Sequence, residues 1–204
     1  MTELNTEKKE KTEKPSRKGK ILPLKTISET IKVGEMINKL DNGKIRRRNY
    51  TFYVLAINTG VEIDDLCRFK VSDIKGRKSI DYKGQKIALD SGLREIIKRY
   101  IKTNNLKTTD YLFPSVKSGR PISRITVYKF LKKAGKELGL SHFSGTSLRK
   151  TYAYLVYKYS DLATATKLLG FKSTTDFLHY IGEEDSGVTV LIGKHAGFRP
   201  DKIR

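Results

Sequence analysis

Short groups of basic side chains recur along this sequence, and groups of that kind hold phosphate. Lys44–Arg48 reads KIRRR, with Arg46, Arg47 and Arg48 in succession. Lys83 and Lys86 flank Gly84-Gln85; Arg124, Tyr128 and Lys129 open a lysine-rich helical stretch; Arg149 and Lys150 stand in SLRKT, and Lys172 in FKS. Arg149 is expected in the first turn of its helix, where unpaired backbone N–H groups favour an anion. A second chemistry is offered by KLLGFKSTTDFLHYIG, residues 167–182. Tyr180 carries a hydroxyl that can act as a nucleophile. Phe171, nine residues before it, neither donates a hydrogen bond nor titrates. Each of these residues also has an ordinary use: Tyr180 shares a helix face with Phe177 and Ile181 as a core residue would, and a lysine or arginine can be a solvated surface residue.

Composition narrows the partner. Lys and Arg number 42 against 22 Asp and Glu, a formal charge of +20. Such an excess speaks to a polyanion, and nucleic acid fits because neutralising its phosphates releases condensed counterions. A membrane surface would call for a basic amphipathic helix or a lipid signal, and the sequence has neither; no apolar run approaches the ~20 residues of a membrane span. The single cysteine, Cys67, allows no intrachain disulfide, which fits a reducing cytosol and a DNA-associated, cytoplasmic protein.

The elements that must position these residues follow from periodicity. Residues 1–27 hold eight basic and four acidic residues with almost no periodic apolar ones, so a disordered tail is expected there and a folded body over 28–182. A helix is expected from Ser28 with Ile31, Val33, Met36, Ile37 and Leu40 inward, ending at Asp41-Asn42-Gly43. NYTFYVLAINTG, apolar nearly all round, predicts a buried helix capped by Gly60; VEIDDLCRFK predicts a short one. Ser79–Tyr82 and Lys86–Leu89 read as two strands joined by Lys83-Gly84-Gln85. Helix returns at SGLREIIKRYIK behind a Ser91 cap. YLFPSVKSGRPIS reads as a loop. Ser123 caps RITVYKFLKKAGKELG, with Ile125, Tyr128, Leu131, Ala134 and Leu138 on one side. SLRKTYAYLVYKYS turns Leu148, Tyr152, Leu155, Val156 and Tyr159 inward, and two short helices end at Gly170 and Gly182. The class is α+β, mostly helical with one small antiparallel sheet. Residues 183–204 form an extension in which VTVLIG is read either as a short strand on its own sheet or as a surface for self-association.

Taken in order, these blocks resemble the catalytic domain of the tyrosine recombinases, or phage-type integrases. NTGVEIDDLCRFKVSDI is similar to the family's Thr-Gly-Leu-Arg-x-x-Glu-Leu-x-x-Leu block, YKGQKIAL to its lysine hairpin, LFPSVKSGRPIS to the loop before its long helix, TSLRKTYAYL to its His-x-Leu-Arg-x-Thr block, and LLGFKSTTDFLHY to its Leu-Gly-His…Tyr block. The resemblance implies metal-free, cofactor-free chemistry on double-stranded DNA. A tyrosine attacks a phosphodiester and leaves a 3′-phosphotyrosine, two arginines clamp the nonbridging oxygens, and a lysine protonates the leaving oxygen. By position Tyr180 matches the nucleophile, Arg149 the second arginine, and Lys83, with Lys86 as alternate, the hairpin lysine. The helix from Arg124 matches the family's major-groove helix, with Arg124, Tyr128 and Lys129 as candidate contacts to base edges or phosphates.

The departures carry as much information. Glu62 stands where the first arginine belongs, and a carboxylate repels a phosphoryl transition state. Loss of a transition-state arginine alone costs roughly 10³–10⁵ in rate. Arg68 is no substitute, since six residues along a helix turn it about 240° away. Thr146 replaces a histidine and cannot shuttle a proton near neutral pH, unless His142 folds back to do so; Phe171 replaces another. The family's usual N-terminal helical domain is represented here by the tail alone. The expectation is a DNA-binding protein on a recombinase frame, catalytically inactive, serving a regulatory or architectural role on DNA such as that of a mobile element. An active site-specific recombinase with an atypical site and a nonspecific basic or RNA-binding protein are the alternatives.

Overall fold

Thr26, not Ser28, starts the first helix of the computed structural model, which describes residues 21–183. Its hydroxyl accepts from the Glu29 N–H at 3.1 Å, and the Glu29 carboxylate accepts from the Thr26 N–H at 3.0 Å, a reciprocal cap that satisfies two orphan donors. Helix α1 spans Ile27–Leu40 and buries Val33 and Ile37, while Ile31 faces solvent. The expected tail 1–27 is too long at its end: Leu24 is buried, and its N–H donates to the Thr151 hydroxyl at 2.9 Å. VTVLIG and the rest of the expected extension 183–204 past Glu183, with its expected self-association, lie outside the described residues.

Helix α2, Gly43–Thr59, begins six residues earlier than its apolar run and absorbs KIRRR into its first turns. It is the central helix. Phe52 meets Phe113 and Phe130 edge-on, with ring centres 4.9 and 6.1 Å apart. Gly60 ends it at φ +63°, with its N–H on the Ala56 carbonyl, a left-handed closure that glycine adopts without Cβ strain. Helix α3, Ile63–Arg68, and a 3₁₀ turn, Val71–Asp73, lead to the hairpin.

Strands β1, Ser79–Tyr82, and β2, Gln85–Ala88, pair antiparallel from Ser79–Ala88 to Tyr82–Gln85. The turn is therefore two residues, Lys83-Gly84, one shorter than expected, and both have positive φ, the twist that suits a tight hairpin. Asp90 rather than Ser91 caps α4, Ser91–Thr103, by accepting from the Leu93 N–H at 2.9 Å.

Helix α5, Arg124–Glu137, is capped by Ser123 as expected but rotated. Val127, Phe130, Leu131 and Ala134 face inward, while Ile125 and Tyr128 are exposed. The inward set has spacing i, i+3, i+4, i+7, and it gives Phe130 the aromatic contact with Phe52. Helix α6 spans Gly145–Tyr159, α7 Leu162–Leu168 and α8 Thr174–Ile181. In α6, Leu148 and Leu155 are buried but Tyr159 is exposed, and Thr151 and Ala153 take the inner face.

Two apolar clusters result. The large one joins α1–α5, the hairpin and the start of α6; the second gathers Ala153, Ala165, Phe177, Leu178 and Ile181 where α6, α7 and α8 meet. Among the described residues no helix is long and apolar enough to cross a membrane.

Candidate functional site

Two glycines fix the approach of α6 to the turn between α2 and α3. A Cβ on Gly60 would lie 2.2 Å from Cδ1 of Tyr152, and one on Gly145 would lie 2.5 Å from Cγ1 of Ile63. With both side chains absent, the start of α6 lies directly on that turn. Helix α6 begins at Gly145, two residues before SLRKT, so Arg149 occupies its second turn rather than its first. Its Nη1 donates to the Gly60 carbonyl at 3.0 Å and lies 3.4 Å from Oε1 of Glu62.

Glu62 does not turn away from the site. The same Oε1 accepts from Nζ of Lys83 at 2.6 Å, so one carboxylate oxygen bridges a guanidinium and an ammonium. The Glu62 hydrogen bond is the first cause raising the Lys83 pKa, with Tyr82 second. Lys83 also lies 4.0 Å from Asp65. Tyr82 sets the hairpin against α3: its hydroxyl donates to Oδ2 of Asp65 at 2.8 Å and accepts from the Glu62 N–H at 3.2 Å.

Tyr180 approaches from α8. Its ring centre is 5.0 Å from that of Phe171, which in turn meets Phe177 at 5.6 Å, and Nζ of Lys150 stands 5.1 Å from the Tyr180 ring. Burial raises the Tyr180 pKa, opposed by the charge and hydrogen bond of Arg149. The phenol is therefore neutral near pH 7, and the Arg149 guanidinium lines the same cleft. Phe171 supplies packing to this ring and no proton.

Glu62, Arg124, Thr146, Arg149 and Tyr180 line one cleft of about 270 Å³. Thr146 is exposed at its edge. Ser144, which sequence reasoning passed over, also lines it; its buried hydroxyl has no hydrogen-bond partner among the described residues. The signal available was its place just before the Gly145 helix start, a position where serine caps. Arg124 reaches the cleft from α5 and lies 3.4 Å from Oδ2 of Asp64. Asp64, Asp65 and Tyr82 were likewise not singled out in the sequence; their role is legible only once the hairpin is seen to fold onto α3. Arg68 and His142 do not line the cleft.

The other basic candidates divide. Lys86, Lys129 and Lys172 are exposed, as a phosphate contact requires. Arg46 is half-buried, and Arg47 donates to Asn104 at 3.4 Å. Arg48 is a correction. It is 7% exposed, donates to Oδ1 of Asn49 at 2.9 and 3.1 Å and to the Pro114 carbonyl at 3.3 Å, and burial lowers its pKa. It braces the loop before α5 and does not present to DNA. The described residues hold no group of three or more His, Cys, Asp or Glu suited to a metal.

Comparison with known proteins places this geometry. Residues 29–186 match the phage integrase family. The chain is 29% identical over 175 residues to a probable integrase/recombinase, YoeC, of Bacillus subtilis, covering 81% of this chain and 92% of that protein. It is 28% identical over 161 residues to the tyrosine recombinase XerA of Pyrococcus horikoshii, covering 74% of this chain and 54% of that one. Among solved structures, the XerH site-specific recombinase in a post-cleavage complex with its palindromic difH substrate superposes with a TM-score of 0.64 at 22% identity, covering 80% of this chain and 50% of that one. The XerA recombinase superposes at 0.63 with 20% identity, covering 85% and 63%. At those identities the structures speak to fold. The chain spans about half the length of that XerA relative and of the XerH chain.

Proposed function

This chain belongs to the phage integrase family, and from that premise we propose that it binds double-stranded DNA through the recombinase cleft without cutting it. The observation that carries the reading is the Glu62 carboxylate against Arg149 and Lys83, beside Tyr180. Strand cleavage by a tyrosine develops negative charge on the phosphoryl oxygens, and it needs preorganised cations there. Here the first cationic position carries a negative charge, so the net positive charge facing a phosphate is one where the family's pattern would supply three. Thr146 and Phe171 remove the proton-handling groups as well. Grip needs less: Arg149 and Lys83 still attract a backbone phosphate, and exposed Lys86, Lys129 and Lys172 add long-range attraction. A regulatory or architectural role on DNA, such as that of a mobile element, follows from binding without breakage.

The decisive experiment incubates the full chain with a nicked suicide DNA substrate and separates protein under denaturing conditions. The expected result is no covalent protein–DNA adduct, together with salt-dependent binding to intact duplex. The second reading, an active recombinase with an atypical site, is favoured by one observation: Tyr180 and Arg149 line the same cleft, and the Arg149 charge acts to lower the Tyr180 pKa, as a nucleophile beside its clamp requires. An adduct that disappears in Tyr180→Phe would establish that reading and remove ours.

A further inference from the structure

The carboxylates of 62–65 each meet a basic or hydroxyl group at the DNA-facing cleft or beside it. Glu62 lies against Lys83 and Arg149 at 2.6 and 3.4 Å, Asp64 against Arg124 at 3.4 Å, and Asp65 takes the Tyr82 hydroxyl at 2.8 Å and stands 4.0 Å from Lys83. A carboxylate oxygen bridging an ammonium and a guanidinium makes the contact that a nonbridging phosphate oxygen would make.

Resting on the DNA-binding reading above, we infer that the Glu62–Asp65 segment is an internal mimic of the DNA backbone, which holds Lys83, Arg149 and Arg124 until phosphates displace it. The segment is suited to that use. The Glu62 and Asp64 side chains are about half exposed, and ion pairs at such sites are weak and screened by salt, so a polyanion can outcompete them. The mask also preorders its cations: the arginine and lysine stand at one point before DNA arrives, although they come from α6 and from a hairpin tip. Its consequence is a lowered affinity for any duplex, which leaves the contacts on α5 to decide where the protein stays.

The test compares Glu62→Gln with the full chain on one duplex across a salt series. Glutamine keeps the size and hydrogen-bonding capacity of the side chain and removes its charge. The expected result is roughly tenfold tighter binding at low salt, with the log–log salt slope steeper by about one, since one more unpaired cation meets the DNA. Asp64→Asn, which frees Arg124, gives a smaller gain of about threefold. Glu95→Gln is the control; Glu95 pairs with Lys98 on α4, away from the cleft, and its loss changes affinity less than twofold. In a Lys83→Ala, Arg149→Ala background the gain from Glu62→Gln vanishes, because nothing is left to unmask. The inference is overturned if Glu62→Gln gains no more than Glu95→Gln, if it binds more weakly, or if its full gain survives in the doubly substituted background. Failure of every form, wild type included, to bind duplex DNA would instead sink the DNA-binding reading and this inference with it. Binding by the wild type without the gain sinks the mimic alone.

Discussion

Arg149 and Glu62 are carried by elements rooted in the large core, where Phe52, Leu55, Leu66, Phe113, Leu131 and Leu148 are fully buried. Tyr180 is carried by α8, whose inner face enters the second cluster of five buried residues. Both halves face the same cleft, yet they differ in how much structure must open to displace them. Regions with few buried apolar contacts open at lower cost than the global core. The half that carries Arg149 and Glu62 is therefore held by the stability of the whole domain, and the tyrosine half by a local cluster. In an enzyme, a mobile tyrosine segment would be a device for timing attack. In a protein that only binds, little would be asked of it; Phe171 packs the Tyr180 ring, and Phe177 packs Phe171.

The strongest way to test this contrast is to cut into each core. Phe113→Ala should lower global stability by about 3–5 kcal/mol in denaturant unfolding, since its ring packs against both Phe52 and Tyr100. Alkali attacks the same core by another route. Tyr53 and Tyr100 are buried, their hydroxyls donate to the Thr30 and Leu112 carbonyls, and burial holds both pKa values far above the ordinary phenol range. Raised pKa values stabilise the fold fully below the unfolded phenol pKa near ~10. That contribution is lost as pH rises beyond it, because the unfolded chain releases its protons first. Stability should fall steadily above about pH 10, and Tyr100→Phe should flatten the fall.

Phe177→Ala should act locally. Backbone amides of α7 and α8 should exchange roughly a hundredfold faster while the main unfolding transition shifts by under ~1 kcal/mol. A single transition lowered as far as in Phe113→Ala would erase the distinction between the two cores. At the cleft itself, Arg149→Ala should weaken duplex binding by about 1.5–3 kcal/mol, the range for hydrogen bonds to charged groups. Tyr180→Phe should change it by less than ~0.5 kcal/mol. Equal losses from these two would show that the tyrosine hydroxyl shares in the grip.

Most of the fold was legible because its elements obey local rules. Helical and strand periods, Gly60 and the Ser123 cap are set by neighbours within a few residues. The errors came where two local signals competed. Thr26 with Glu29 makes a full reciprocal cap and outranks Ser28, and Asp90 reaches the Leu93 N–H better than Ser91. KIRRR, set aside as a basic patch, consists of good helix formers and extends α2. The rotation of α5 was not legible, since apolar residues occupy both faces and contact with Phe52 selects between them.

The sequence by itself determined the element order, the excess positive charge and the identity of the residue at position 62. Those follow from composition and from forces acting over one or two turns of chain. Only the tertiary structure decided what each charge does. Arg48 and Arg149 are the same chemical group. One is buried bracing Pro114, and the other faces a cleft because Gly60, 89 residues away in the chain, leaves room for Tyr152 and offers a carbonyl to hold it. Lys83 and Glu62, 21 apart, meet at 2.6 Å because the hairpin folds back through Tyr82 onto Asp65. Such meetings depend on packing between distant segments, where a shift of an ångström or two changes a partner, and no local pattern encodes that.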